Sequence, residues 1–349
     1  MMTKPTLPSR RAAPGFTLVE ILIALALGVL ILLALTILFA RNSGNQSELE
    51  RNTRQLENAR FSVDLLTEDV MHAGYYGAFD PDPVIADPAD WTTPDPCAID
   101  VDAQGWNTPD PPVPTSANPA ERVQIPVALQ GIEAGTAVGC LGNRVAGTEA
   151  VVVRHAETGA PTTLAAGLNN NLYIQVARCG LDTSRIRAAS VPSGTLNLRL
   201  PDCATLNDSL RRLTQRTYYI ASCNDCGAND GIPTLKRVEM INGALRTMSV
   251  AEGVENLQVE YGLDTNDDGV ADNFVTTAGV TGVAPNLWQN VVAARLHLLT
   301  RSTQTTPGFS DTRTYQLGPG EQVITPADGF KRTLMTTTVR LHNVGGRRE

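Results

Sequence analysis

Hydrophobic and polar residues alternate with two different periods along this chain. From Ile21 to Ala40, twenty residues carry no charge, and only Gly28 and Thr36 interrupt the aliphatic run. Twenty helical residues span about 30 Å, the thickness of a bilayer's hydrocarbon core. Beyond Ala40 the pattern turns amphipathic. Leu49, Leu56, Val63 and Val70 recur every seven residues, and Ala59, Leu66 and Ala73 form the second line of that stripe. No Pro or Gly interrupts residues 45–73, and Gly74 offers a C-terminal stop. The pattern predicts one helix from about Phe16 to Ala73, half in membrane and half packed on a globular domain.

Further on the period becomes two. Leu257, Val259 and Tyr261 alternate with Gln258 and Glu260, and Ala294, Leu296 and Leu298 alternate with Arg295 and His297. Residues 235–241 and 244–250 flank Asn242-Gly243, a strong hairpin signal. Val151–Val153 reads as a short buried strand and 333–341 as a Thr/Val-rich one. With no βαβ rhythm, the expected class is α+β, a long helix on a mainly antiparallel sheet. Residues 80–119 break the pattern, since ten of the 22 prolines fall there among Asp and Thr. Such a stretch suits neither helix nor central strand. It predicts an extended loop held by Trp91, Trp106 and a disulfide through Cys97. An irregular surface loop and a partner-binding insertion both fit it.

Charge orients the chain. Lys4, Arg10 and Arg11 precede the apolar run and Arg41 follows it, which favours a cytoplasmic N-terminus. A cleaved secretory signal is the rival, but the run is long for one and no small-x-small site follows it. The whole chain holds 28 basic and 36 acidic residues, a net charge of −8. Without the leader's cations the exported part is more acidic still, which argues against a nucleic-acid partner. Cys97, Cys140, Cys179, Cys203, Cys223 and Cys226 all fall on the exported side. An even count in an oxidising compartment suggests disulfides, with the pairing open.

Glu20 is the odd residue, a carboxylate at the mouth of the apolar run. Such a charge costs roughly 2.5–3.5 kcal/mol at membrane depth and calls for a partner. If the chain is cut after Gly15, Phe16 carries a new amine one helical turn from Glu20. That amine, in the same chain or a neighbour, can pair with the carboxylate.

Gly15-Phe16-Thr17-Leu18-Val19-Glu20, after a basic leader and before an apolar helix, resembles the cleavage and methylation motif of type IV pilins and type II secretion pseudopilins. The resemblance implies cleavage between Gly15 and Phe16 by a prepilin peptidase, N-methylation of Phe16, and a pilin fold. Tyr218-Tyr219-Ile220, the stretch from Gly253 to Asp272, Val291 to Ser302, and Thr336 to Asn343 resemble the C-terminal half of PilW-type minor pilins. His72 to Gly77 fits as well. The implied organisation is a leader at 1–15, a transmembrane half-helix at 16–40, its exported half at 41–74 and a β-rich exported domain at 75–349. The domain would lie in the periplasm on an inner-membrane anchor, then at the pilus tip. The resemblance implies partners among other minor pilins and the major pilin, a priming complex that initiates pilus assembly, and through the fibre twitching motility and cell adhesion. A type II secretion pseudopilin and a tip adhesin, or a partner for one, are the alternatives. Residues 80–216 resemble nothing nameable.

One further motif could hold an ion. Asp264, Asn266 and Asp268 stand at i, i+2 and i+4, Gly269 follows, then the Val270 carbonyl and Asp272. This resembles the first nine positions of a calcium loop, but the twelfth is Val275, not Glu. An Asp/Gly turn between strands is the other reading. Cys223-Asn224-Asp225-Cys226 could be redox-active, half a zinc site or a structural crosslink, and its context after a strand suits the crosslink. His72, His155, His297 and His342 read as isolated, with His297 and His342 on solvated strand positions. No nucleophile elbow, H-E-x-x-H or P-loop occurs, so the expectation is a non-enzyme.

Overall fold

The structure, a computed structural model, describes residues 15–79, 93–107, 123–164, 168–182, 184–190, 196–206, 208–281, 287–318 and 323–348. The chain divides into two compact units, Met1–Asn52 and Thr53–Glu349. Helix α1, Leu18–His72, begins in the first and ends in the second. In the first unit its apolar side chains from Leu18 to Phe39 are exposed, and the apolar window is long enough to cross a membrane. The Thr36 hydroxyl, the one polar side chain between Ile21 and Phe39, donates to the Leu32 and Leu33 carbonyls at 2.6 and 3.0 Å, so it needs no outside partner.

In the second unit α1 buries Ala59, Ser62, Leu66, Val70 and Ala73 completely. The heptad line is corrected here. Leu56 remains 40 % exposed, while Gln55 and Asp69 face inward. A straight helix repeats every 3.6 residues, so a strict seven-residue line drifts off the contact face. The buried polar residues have partners: Gln55 Nε2 donates to the Thr300 carbonyl and Ser62 Oγ to the Asn58 carbonyl. The helix stops as expected. Gly74 has φ of +77° and donates its N–H to the Arg154 carbonyl at 2.9 Å.

Two antiparallel sheets and α1 share one core. The first has seven strands: β1 Leu129–Ile132, β2 Ala150–Ala156, β3 Leu172–Val176, β4 Ile186–Ser190, β5 Leu210–Ala221, β6 Thr234–Ile241 and β7 Ala244–Glu252. The long β5 organises it, pairing with β2 over 213–219, with β3 over 210–212 and with β6 over 216–221. The β6–β7 hairpin turns at Asn242 and Gly243, both with positive φ, as the sequence predicts. The second sheet runs β13 (Arg332–Arg340), β10 (Val291–Arg301), β8 (Val254–Leu263), β9 (Asn273–Thr276). β11 Tyr315–Gln316 and β12 Val323–Ile324 form a small ribbon, and the short helices α2 Thr277–Thr281 and α3 His342–Gly345 complete the unit. Leu66 and Val70 of α1 meet Val151, Tyr218 and Ile220 of the first sheet and Leu257, Val259 and Leu296 of the second. This is the α+β, pilin-like class expected.

Of the 80–119 loop, residues 93–107 are described; Trp91 lies outside them. Trp106 is buried edge-on against Tyr76, with ring centroids 4.9 Å apart, and Cys97 bonds to Cys140. Arg154 ties the loop down from β2. Its buried guanidinium donates to the Gln215 and Gln130 side chains at 2.5 and 2.8 Å and to the Val127 and Pro94 carbonyls. With no carboxylate among these acceptors, burial pulls this arginine's pKa down to about 9.

Candidate functional site

The N-terminal segment is built by a local device. Thr17 N and Thr17 Oγ1 both donate to Glu20 Oε2 at 2.8 Å, and Glu20 N donates back to Thr17 Oγ1 at 3.3 Å. This reciprocal pair is a capping box, which satisfies donors that the first helical turn leaves open. Thr17-x-x-Glu20 is its signature in the sequence, hidden there by the cleavage motif that shares the same residues. Glu20 therefore has a partner inside its own chain before any amine is created at Phe16. Gly15 and Phe16 precede the helix, and Phe16 is 84 % exposed. Lys4, Arg10 and Arg11 of the leader lie outside the described residues.

A buried charge network joins the end of α1 to the first sheet. Asp69 Oδ1 accepts from His155 Nε2 at 3.0 Å and from Arg216 Nη1 at 2.5 Å, and Asp69 Oδ2 accepts from Tyr218 OH at 2.9 Å. Arg216 also reaches Glu239, which Arg212 and Arg237 flank. Burial pushes the Asp69 carboxyl up, but the His155 hydrogen bond and the Arg216 charge outweigh it and hold the group below its ordinary value. Burial beside Asp69 pushes the Tyr218 phenol up. Two histidines are corrected by these contacts. His155 is buried on Asp69, and His297 is buried between Glu260 (2.9 Å) and the Thr336 hydroxyl (3.1 Å). His342 is exposed as expected, but it opens helix α3 and does not stand on a strand. The network borders a polar cleft of about 370 Å³ whose lining mixes Glu68, Asp69 and Glu157 with Arg216 and Arg237.

The 264–272 loop leaves β8 and returns to β9 through Asp267 and Gly269, both with positive φ. Asp264 is buried and accepts from Gly269 N at 2.9 Å and from Arg348 Nη1 at 3.2 Å. Burial raises this carboxyl, and these two donors more than offset it, leaving its pKa lowered. Asp268 Oδ1 accepts from Val270 N, and Asp272 Oδ2 accepts from the Thr265 N–H and hydroxyl. The Asn266 amide donates to Asp268 Oδ2 at 3.1 Å. Val275 stands in β9. The side chains expected of a calcium loop thus share one turn, and Asp264, Asn266, Asp268 and Asp272 each hold hydrogen bonds within the protein. Among the described residues no three His, Cys, Asp or Glu side chains converge on a metal position.

All six cysteines are paired: Cys97–Cys140, Cys179–Cys203 and Cys223–Cys226. The C-x₂-C pair follows β5 directly, as expected of a crosslink.

An exposed apolar helix, preceded by Gly15-Phe16 and followed by an antiparallel β domain, gives a pilin-like α+β fold. Residues 10–36 match the Prokaryotic N-terminal methylation motif, and residues 217–343 match the family described as Type IV Pilus-assembly protein W. Over its apolar start and its C-terminal third the chain is therefore similar to PilW-type minor pilins of the type IV pilus. No curated protein and no solved structure matches the chain.

Proposed function

We propose that this protein is a structural subunit that joins a priming complex of minor pilins, starts type IV pilus assembly and stays at the fibre tip. The observation that carries the reading is the exposed apolar face of α1 from Leu18 to Phe39, headed by Glu20 and an exposed Phe16. An apolar surface of that size needs lipid or neighbouring helices to cover it. The N-terminus is cytoplasmic and the β domain periplasmic before assembly. A prepilin peptidase cuts after Gly15 and the Phe16 amine is methylated. Glu20 then exchanges its contacts with Thr17 for a neighbour's amine, an ion pair that would be strong in lipid.

The test is a gene deletion complemented in trans, scored for sheared surface pili and for secreted exoenzymes in the same cultures. Loss of pili with normal secretion supports pilus priming. Loss of secretion with normal pili moves the protein to the type II pseudopilins. Glu20→Ala should still be cleaved but should not restore pili; normal piliation would overturn the docking role.

We further propose that the Asp264 loop takes calcium weakly, displacing Arg348 from Asp264. The support is the set of Asp264, Asn266, Asp268, Val270 and Asp272 oxygens on one turn. Calcium, and not magnesium, should raise the melting temperature of the detergent-solubilised chain, and more so in Arg348→Ala. Absence of a shift in both proteins retires the site.

A further inference from the structure

We infer that Cys223–Cys226 is a redox-labile disulfide that exchanges with thiols at Cys226, whose thiolate Lys236 stabilises. Three observations meet here. First, the cysteines are only 3 residues apart, against 43 and 24 for the other two pairs. A crosslink that closes so short a loop removes little entropy from the unfolded chain, so opening it costs the fold least. Second, Cys223 is buried while Cys226 is half-exposed, which leaves one sulfur open to attack. Third, Lys236 Nζ lies 3.3 Å from Cys226 Sγ. Lys236 is itself buried on β6 and held by the Asn224 carbonyl at 3.0 Å, so its ammonium is fixed at the sulfur. A lysine beside a cysteine favours the thiolate.

The other disulfides lack this feature. Cys97 Sγ lies near the Cys140 backbone N–H and Cys179 Sγ near the Leu181 N–H. Among the described residues, no side-chain cation bonds to either pair. This placement favours the redox-active alternative for the C-x₂-C pair over the structural crosslink that its position after a strand suggests. Neighbouring contacts hold the turn ready for closure: Asp230 accepts from the Asn224 and Asp225 N–H groups, and Asn224 Nδ2 donates to Glu252.

The exchange balances as follows. A thiolate of a dithiol attacks Cys226 Sγ, the Cys223–Cys226 bond breaks, and Cys223 leaves as a thiolate that takes a proton. The dithiol's second thiolate then attacks the mixed disulfide. Cys226 leaves as the thiolate beside Lys236, and the dithiol ends as a disulfide, having given up two electrons. A lower thiol pKa makes Cys226 the faster leaving group in this second step. In the periplasm the chemical class of reactant is a protein dithiol of the oxidoreductase kind.

The test uses the full chain in detergent, folded, titrated with dithiothreitol, then alkylated and mapped by mass spectrometry. Cys223 and Cys226 should be the first pair labelled, with both other pairs still closed. In the reduced protein, the pH midpoint for Cys226 alkylation should fall below about 8.5, the ordinary thiol value. Lys236→Gln should raise that midpoint by about one unit, an approximately tenfold drop in thiolate near neutral pH. Lys236→Arg keeps the charge and should keep the low midpoint. Another disulfide opening first overturns the inference, as does an ordinary midpoint in the wild type or one that Lys236→Gln leaves unmoved. The wild-type midpoint needs no substitution, so the inference can fail even if Lys236→Gln does not fold.

Discussion

At the scale of single residues, Asp69 is the most consequential side chain of the β domain. Its two oxygens accept from His155, Arg216 and Tyr218, residues brought together from sequence separations of 86, 147 and 149. Removing one partner of a buried pair leaves the others uncompensated, which typically costs about 3–5 kcal/mol. Asp69→Asn should therefore lower the unfolding free energy by that amount in denaturant titrations of the full chain in detergent. The pH dependence has a definite sign. Because the folded-state carboxyl titrates below its unfolded value of 3.8, its contribution is complete above that value. It is lost as acid carries the pH down through the folded value. Stability measured between about pH 5 and pH 2 should fall more steeply in the wild type than in Asp69→Asn. Equal slopes would show that Asp69 does not set the acid limb. No local pattern announces such a cluster, since its partners come from three elements. The N-terminal motif, by contrast, is legible because six contiguous residues carry it, and residues 10–36 match the Prokaryotic N-terminal methylation motif.

At the scale of elements, α1 tests how burial is assigned along a helix. Leu66 is fully buried against both sheets, whereas Leu56 is 40 % exposed. Leu66→Ala should cost about 2–5 kcal/mol, through lost transfer energy and a residual cavity. Leu56→Ala should change stability by less than about 0.5 kcal/mol. Equal losses in thermal or chemical unfolding would restore the heptad line read from sequence. That line failed because Gln55, Ser62 and Asp69 lie on the contact face and read as the polar side. Gln258, Glu260 and His297 show the same limit in the second sheet. Their strands were legible from alternation, but their burial is decided by what covers the sheet. The Asn242-Gly243 hairpin and the Gly74 stop were legible because turn chemistry is local. A Cβ on Gly74 would meet Val344 Cγ2 at 3.0 Å and Ala128 Cβ at 3.2 Å, at a φ of +77°. Gly74→Ala should destabilise by about 1–3 kcal/mol, read as a lower denaturation midpoint with an unchanged slope.

At the scale of the whole β domain, residues 340–348 join parts that are far apart in sequence. Asn343 Nδ2 donates to the Met71 and Ala73 carbonyls at 3.3 and 3.4 Å, and Arg347 Nη2 donates to the Gly74 carbonyl at 2.7 Å. These acceptors are the orphan carbonyls that end α1, and a cation there also meets the negative end of the helix dipole. One residue later, Arg348 bonds Asp264, Asp267, the Gln289 carbonyl and Asn290 Oδ1. Arg340 adds a bond to the Gly269 carbonyl at 3.0 Å. The same segment therefore secures the end of the helix that carries the N-terminal methylation motif and the loop that carries the candidate ion ligands. Removing Arg347 should free the helix end, and removing Arg348 should free the loop. Hydrogen exchange on the full chain separates the two effects. Arg347→Ala should speed exchange in residues 70–75 and spare 264–272, while Arg348→Ala should do the reverse. If each substitution loosens both regions, the segment acts as one cooperative clasp, and a signal at the Asp264 loop would reach the helix end through it. If neither loosens either region, packing of Val344 and Leu341 into the core holds both ends without the arginines.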